Sequence, residues 1–351
     1  MNERQIGAKV SLAVKYRPKC WEDVTEQSVV KDILENQVRT KTVQSAYLFT
    51  GPSGTGKTTS ARIFANMIND GKGNPIEVDA ASNSGVDNIR QIIEDAKRKP
   101  LDAEYKIVIV DECHSLSSGA WQALLKTLEE PPKFTIFIFC TTNPEKIPAT
   151  ILSRVQRYNF QKISNEGIVD RLNMILEKES DEIDNLSCKL NWEQDALEFI
   201  SKVSSGGMRD AITLLDKCLS LSHDVTLENV LKTIGSEDYS TFITFLSALE
   251  EKEKEISIKV VEDVYNAGKD VKQFMKDFAK FILEVEKYAL YKNFDYISLP
   301  NTLENELERL IDDSLFDIMD FVVSLNSQIK WENDPKTLIE LSILIYCGKE
   351  I

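Results

Sequence analysis

Short apolar runs alternate with amphipathic stretches up to about residue 160. The apolar runs have the length of strands and are continuous, which is typical of strands buried on both faces. The stretches between them have helical periodicity, so the pattern predicts a parallel sheet with crossover helices. The predicted strands are 46–50, 76–80, 106–110, 134–140 and 157–160.

Beyond residue 160 the strand signals nearly vanish. Residues 166–235 contain three or four short helical patterns, interrupted at Gly206–Gly207. Longer helices are predicted from residue 240 onward, one of them with an apolar face of Phe274, Phe278, Phe281, Val285 and Tyr288. We therefore predict an α/β domain at residues 1–163, a small helical domain at 164–236 and an all-α domain at 237–351.

Composition indicates a globular protein of several domains. The 351 residues are 42% hydrophobic and 28% charged, and the longest apolar runs are too short to cross a membrane. The N-terminus is polar and lacks the apolar core of a signal peptide. The six cysteines form no C-x-x-C pair, so neither a disulfide framework nor a zinc site is expected. We expect a cytoplasmic protein with no membrane partner.

Charge is distributed unevenly. The net charge of −15 argues against nucleic acid as a partner of the whole surface. Residues 1–163, however, hold 22 Lys and Arg against 19 Asp and Glu, whereas residues 164–351 hold 20 against 38. The first part can therefore present a local basic surface, and the acidic second part favours solubility.

The segment GPSGTGKT matches the phosphate-loop pattern G-x-x-x-x-G-K-[ST] in full. It follows a predicted strand and precedes a predicted helix, as the motif requires. Glycines let backbone N–H groups approach phosphate oxygens closely, and the helix N-terminus adds partial positive charge. Lys57 would reach the β- and γ-phosphates and Thr58 would hold Mg²⁺. The predicted nucleotide-binding residues here are Gly51, Pro52, Ser53, Gly54, Thr55, Gly56, Lys57, Thr58 and Thr59.

Two carboxylates follow the predicted strand 106–110. Ligands of open α/β sheets bind at that edge, so Asp111 can bind the same Mg²⁺ as Thr58. Glu112 can polarise a water for attack on the γ-phosphate. The sequence Asp111–Glu112–Cys113–His114 also resembles the D-E-x-H motif of helicases. A second RecA-like domain with an arginine motif is missing from the pattern, so we do not expect a helicase of that class.

Several ordered motifs resemble AAA+ clamp-loader ATPases. They are LAVKYRPKCWEDVTEQ near the start, SGAWQALLKTLEEPP after Asp111, FTIFIFCTTNPEKIPATILSR and SSGGMRDAITLLDK. The chain is similar to the gamma/tau family of bacterial DNA polymerase III over about residues 11–220. The resemblance implies an α/β P-loop AAA+ domain, a helical lid domain and an all-α C-terminal collar domain.

The resemblance also assigns roles to single residues. Tyr16, Arg17 and Pro18 would lie by the adenine, and Thr142 would sense the γ-phosphate, with Asn143 as a second polar candidate. Arg154 matches an arginine finger that enters the neighbouring subunit's site, with Arg157 as a weaker alternative. Arg209 matches a second sensor. It also lies in the first turn of a predicted helix, where the helix dipole disfavours a cation unless an anion is bound.

This sequence departs from the family in three places. Val155 replaces the cysteine usual after the finger arginine, which we expect to have little effect on packing. The family's four-cysteine zinc module is missing after the phosphate-loop helix, so we expect ATP and Mg²⁺ as cofactors but no zinc. We also expect no tau-type extension. A gamma/tau relative without these two parts is expected in the cytoplasm of a bacterial or a phage-infected bacterial cell.

The resemblance places a DNA contact in SNSGVDNIR. Ser84 and Gly85 lie at a predicted helix start, where N–H groups favour phosphate, and Arg90 adds a cation. We expect backbone contacts to primer–template DNA whose affinity falls with salt. The other expected partners are a sliding clamp and further loader subunits in a pentamer, formed of one kind of chain or of several.

The leading hypothesis is the ATPase motor subunit of a clamp loader within a DNA polymerase III-type holoenzyme. ATP binding would open and load the clamp on DNA, and hydrolysis would release it. The alternative is another AAA+ DNA motor, such as a branch-migration helicase or a helicase loader. A non-enzymatic loader subunit resembling delta-prime is less favoured, because the phosphate loop and Asp111–Glu112 are intact.

Overall fold

The computed structural model describes residues 10–183, 190–234, 237–294, 297–300, 303–311 and 315–348. The chain forms two compact units, residues 1–225 and residues 226–351. This division lies before the helix Leu227–Ile234, whereas the predicted start of the C-terminal domain lies after that helix. The further division predicted between residues 163 and 164 stays a prediction.

A five-stranded parallel sheet forms the centre of the first unit. Its strand order is β2-β3-β4-β1-β5. Each strand lies within one residue of its predicted position, so the predicted parallel α/β sheet is confirmed. The strands are β1 (Ala46–Thr50), β2 (Ile76–Asp79), β3 (Lys106–Asp111), β4 (Thr135–Thr141) and β5 (Gln156–Asn159).

Alternate residues of the central strands enter two separate cores. Val108 and Phe137 belong to the core on one face of the sheet, while Ile109 and Ile138 belong to the core on the other. Strands with two buried faces need apolar residues at every position, because neither face meets water. This is why the central runs were recognisable in the sequence.

Helices cover this sheet and continue beyond it. The bounds are α1 (Leu12–Lys15), α2 (Ser28–Thr40), α3 (Lys57–Ile68), α4 (Val86–Ala96), α5 (Ser118–Glu129), α6 (Ala149–Leu152), α7 (Asn165–Ile183), α8 (Gln194–Val203) and α9 (Met208–Leu221). Two short parallel strands, β6 (Asn191–Trp192) and β7 (Asp224–Val225), were not predicted. Two residues are too few to produce a periodic signal.

In its described residues the second unit is helical. Its helices are α10 (Leu227–Ile234), α11 (Glu237–Glu250), α12 (Lys254–Asn266), α13 (Val271–Tyr291), α14 (Glu304–Arg309), α15 (Leu315–Ile329) and α16 (Pro335–Gly348). The carboxylate of Asp270 accepts from the N–H groups of Lys272 and Gln273 and caps α13. All five residues of its predicted apolar face are buried. Across the described ranges, no helix has the length and apolarity needed to cross a membrane.

Candidate active site

The phosphate loop joins β1 to α3 and depends on its glycines. Gly51, Gly54 and Gly56 have φ angles of 146°, 73° and 96°, which favour glycine. A Cβ on Gly51 would also collide with the backbone carbonyl oxygen of Phe160. Gly56 immediately precedes α3, so the loop delivers its backbone to a helix N-terminus. This is the local structure that phosphate binding requires.

Lys57 is held inside the loop. Its ammonium nitrogen donates to the carbonyl oxygens of Gly51 at 2.8 Å and Pro52 at 2.7 Å, and the residue is 6% exposed. Burial lowers the pKa of Lys57, and the nearby carboxylates of Glu112 and Asp111 oppose that shift. A buried ammonium hydrogen-bonded to neutral carbonyls favours an anionic ligand, which would restore the electrostatic stabilisation lost with water.

Thr58 and Asp111 meet at the carboxyl end of β3. The Thr58 hydroxyl donates to Asp111 Oδ2 at 2.8 Å. Hydroxyl and carboxylate oxygens are hard ligands, and the pair fits Mg²⁺ that also takes phosphate oxygens and water. Within the described ranges, no cluster of three or more His, Cys, Asp and Glu forms a metal site, and Cys188 lies outside them. The expectation that zinc does not bind stays a prediction.

Glu112 sits in a left-handed backbone conformation with φ 45° directly after β3. Its N–H donates to Asp111 Oδ1 at 3.0 Å. The Thr142 hydroxyl donates to its Oε2 at 3.2 Å, and His114 Nδ1 lies 3.2 Å from the same oxygen. The structure thus brings the predicted residues Asp111, Glu112 and Thr142 together and adds His114. Asn143 donates its N–H to the Thr141 hydroxyl instead.

A cavity of about 340 Å³ adjoins the phosphate loop. It is lined by most of the predicted nucleotide-binding residues, namely Tyr16, Arg17, Pro18, Arg209 and residues 53–59. Tyr16 donates its hydroxyl to Glu179 Oε1 at 2.7 Å, which fixes the ring. Gly51 and Pro52 contribute the carbonyls that hold Lys57.

Arg62 also lines the cavity and was not predicted. Its guanidinium donates to Glu77 Oε2 at 2.5 Å. Burial lowers the pKa of Arg17, and the positive charges of Arg62 and Arg209 lower it further. Three arginines close enough to affect one another favour a polyanionic ligand. Arg62 lies five positions after Lys57 on α3, and that spacing matches no motif that marks a site.

The phosphate loop touches the start of α9. A Cβ on Gly54 would lie 3.0 Å from the Cα of Gly207, and a Cβ on Gly207 would lie 3.3 Å from the Ser53 carbonyl oxygen. The sequence marks Gly206–Gly207 only as a break between helices. The close approach of the two backbones is what requires small residues here and brings Arg209 to the cavity.

Arg154 is not among the residues that line this cavity. It follows α6, where its guanidinium donates to Glu129 Oε1 at 2.6 Å and to the Thr150 carbonyl at 2.6 Å. The residues predicted to contact DNA lie at and before the start of α4. Gly85 and Arg90 are exposed, Arg90 pairs with Asp87 at 3.1 Å, and the Ser84 carbonyl accepts from the N–H of Ser117.

Comparison with known proteins identifies the family. The family described as DNA polymerase III, delta subunit matches residues 74–164. The DNA polymerase III subunit gamma of Buchnera aphidicola subsp. Baizongia pistaciae is 35% identical, over 72% of this chain and 73% of the relative. The chain belongs to the DNA polymerase III gamma/tau family. The tau subunit of Bacillus subtilis is 34% identical over 95% of this chain.

The match leaves part of several relatives uncovered. The chain spans 62% of the Bacillus subtilis family member and 50% of the gamma/tau subunit of Mycoplasma genitalium. Among solved structures, the Thermotoga maritima RuvB Holliday junction branch migration motor has a TM-score of 0.50 at 20% identity, covering 67% of this chain and 79% of that one. This likeness concerns the fold alone. With the parallel sheet and the helical C-terminal region, it confirms the predicted AAA+ fold class.

Proposed function

We propose that this protein is the ATPase motor subunit of a DNA sliding-clamp loader. The observation that carries the proposal is the convergence of Lys57, Thr58, Asp111 and Glu112 beside one cavity in a member of the gamma/tau family. Each group matches one requirement of phosphoryl transfer: charge neutralisation, metal binding and orientation of water.

The residues of this chain divide the chemistry among them. The phosphate loop and Lys57 bind the phosphates, while Tyr16, Arg17 and Pro18 bind the base side of ATP. Mg²⁺, when bound by Thr58 and Asp111, supplies positive charge to the β- and γ-phosphates. Glu112 orients the attacking water and Thr142 senses the γ-phosphate. Arg209 closes the site from α9.

Arg154 completes the site of a neighbouring subunit in this proposal. Its place outside the cavity of its own chain and its partial exposure support a role in trans. Hydrolysis would then depend on assembly, because the charge that stabilises the transferring phosphoryl group comes from another copy or another loader subunit. Release of Arg154 from Glu129 would accompany that contact.

Primer–template DNA and a sliding clamp are the proposed partners, within a pentameric loader in the cytoplasm. The exposed start of α4, with Gly85 and Arg90, supports contact with the DNA backbone. ATP binding would open and load the clamp, and hydrolysis would release it on DNA. A branch-migration motor is the weaker candidate, since the likeness to RuvB reflects the shared fold and the family match points to the loader.

The test is ATP hydrolysis by the purified protein, alone, with primer–template DNA, and with DNA plus clamp and partner subunits. Strong stimulation by primed DNA, rising further with clamp, is expected. Arg154→Ala should keep ATP affinity and lose the stimulated rate by about 10³-fold or more. Arg157→Ala, at the weaker finger candidate, should keep the stimulated rate, and Arg39→Ala, at an exposed arginine with no assigned role, is the control. Stimulation that survives Arg154→Ala would remove the trans role, and a flat low rate with all subunits present would refute the motor.

A further inference from the structure

His114 is a mostly buried side chain beside the proposed catalytic carboxylate. It lies in the 3-10 turn Cys113–Ser115 that leads from β3 to α5, and its side chain is 16% exposed. Its Nδ1 is 3.2 Å from Glu112 Oε2 and 3.1 Å from Thr141 Oγ1. Neither the phosphate-loop motif nor the roles assigned above use this ring.

The surrounding groups determine which ring nitrogen carries the proton. An ionised carboxylate only accepts hydrogen bonds, so Nδ1 must carry hydrogen to bind Glu112. The Thr141 oxygen already accepts from the N–H of Asn143 at 3.0 Å. The Thr141 hydroxyl oxygen has a second lone pair, which can accept from His114 Nδ1.

Two groups from different elements therefore lie beside Oε2 of Glu112. The Thr142 hydroxyl donates to it, and His114 Nδ1, which also hydrogen-bonds Thr141, lies 3.2 Å away. Thr142 follows β4, whereas His114 belongs to the turn after β3. If Thr142 turns its hydroxyl to the γ-phosphate, as proposed, it leaves Oε2, and His114 remains as the donor there. With Oε2 held, Oε1 is the oxygen that can accept from the attacking water.

We propose that His114 is a positioning residue, whose Nδ1–H fixes the Glu112 carboxylate for ATP hydrolysis. This inference rests on the proposed ATPase function. The role is orientation of Glu112, so it predicts an effect on kcat and not on nucleotide affinity. It also predicts that a donor must lie at the position of Nδ1 and that one at Nε2 is insufficient.

Substitutions can separate the two ring positions. In His114→Asn the amide nitrogen lies near the place of Nδ1, whereas in His114→Gln it lies near that of Nε2. We expect His114→Asn to keep most of the DNA-stimulated kcat, and His114→Gln and His114→Ala to lose about tenfold or more. ATP affinity should be unchanged in all three. His223→Asn, at the exposed second histidine, is the matched control. Equal rates for the Asn and Gln variants would overturn the proposal.

A measurement without turnover tests the same contact. The sequence contains only two histidines, so ¹⁵N spectra of labelled imidazoles are simple to assign with His223→Asn. We expect a protonated Nδ1 at His114 and a change in its resonance in Glu112→Ala. An unprotonated Nδ1 in the wild-type protein would overturn the inference. If complete assemblies hydrolyse no ATP, the proposed function fails, while the spectrum still decides whether His114 binds Glu112.

Discussion

The two units differ in the polar residues that they bury. Among the described residues, the second unit buries one polar side chain, Ser257, in a core of aromatic and aliphatic groups. The first unit buries many more. They are Gln27, Gln37, Thr50, Thr55, Lys57, Ser60, Asn69, Thr127, Thr135, Thr141, Glu179 and Ser201.

Burial of a polar group costs free energy unless it finds a partner, and most of the polar groups buried in the first unit have one, as Gln37, Thr55 and Lys57 show. Several of these groups lie at or beside the cavity that adjoins the phosphate loop, namely Thr55, Lys57 and Thr141. Polar residues are thus buried around the proposed site of the first unit, whereas the core of the second unit is almost wholly apolar in its described residues. Substitutions should therefore separate activity from stability according to the unit that they change.

Glu112→Gln should give the largest effect and should act on activity alone. The amide cannot take a proton from water, so the stimulated rate of ATP hydrolysis should fall by about 10²- to 10⁴-fold. Equilibrium binding of ATP and the midpoint of urea unfolding should change little. A normal rate in this variant would show that another group orients the water.

Phe278→Ala should instead reduce stability and leave nucleotide binding unchanged. Phe278 is fully buried, and the centroid of its ring lies 4.7 Å from that of the Phe245 ring. Loss of the ring should reduce the free energy of unfolding by about 3–5 kcal/mol, measured by denaturant titration, with ATP affinity unchanged. Phe316→Ala is the control, since Phe316 is 72% exposed. Equal losses in the two variants would contradict the assigned core.

Lys57→Met tests whether a buried charge reduces stability in favour of function. ATP affinity should fall by about 100-fold through loss of a charge-assisted hydrogen bond. The unfolding midpoint without nucleotide should stay level or rise, because burial disfavours the ammonium. A large drop in that midpoint would show that Lys57 is needed for folding.

The pH dependence of Lys57→Met sharpens this test. Burial lowers the Lys57 pKa in the folded state below its ordinary value of 10.5, so the unfolded chain binds that proton more tightly. Stability of the wild-type protein should thus gain a contribution as the pH rises towards 10.5, and the Met variant should lack it. The measurement is the difference between the two proteins in urea midpoint across pH 7–10.

Glu129→Gln should give the smallest effect. The Arg154–Glu129 pair is partly exposed, so its loss should change the free energy of unfolding by less than about 1 kcal/mol. The DNA-stimulated ATPase rate should be kept, because Arg154 itself remains. A strong loss of that rate would mean that Glu129 has its own part in the contact between subunits.

The sequence predicted the elements of the first unit better than their contacts. The strands and the phosphate loop carry short-range signals, namely continuous apolar runs and a motif of eight residues. Arg62, His114 and Gly207 gained importance only through contacts with distant residues, which periodicity cannot show. In the second unit the apolar face of α13 was predictable, but the partners of that face were not.

The contact of Gly54 with Gly207 has a thermodynamic consequence. Because no side chain lies between the two backbones, neither segment can move towards the other without displacing it. A ligand that reshapes Ser53–Gly54 will therefore displace the beginning of α9 as well. Linkage makes such coupling reciprocal: a perturbation that shifts α9 must change nucleotide affinity by the same factor by which nucleotide biases the position of α9. The contact between these two glycines thus couples the position of α9 to the affinity of the phosphate loop for its ligand.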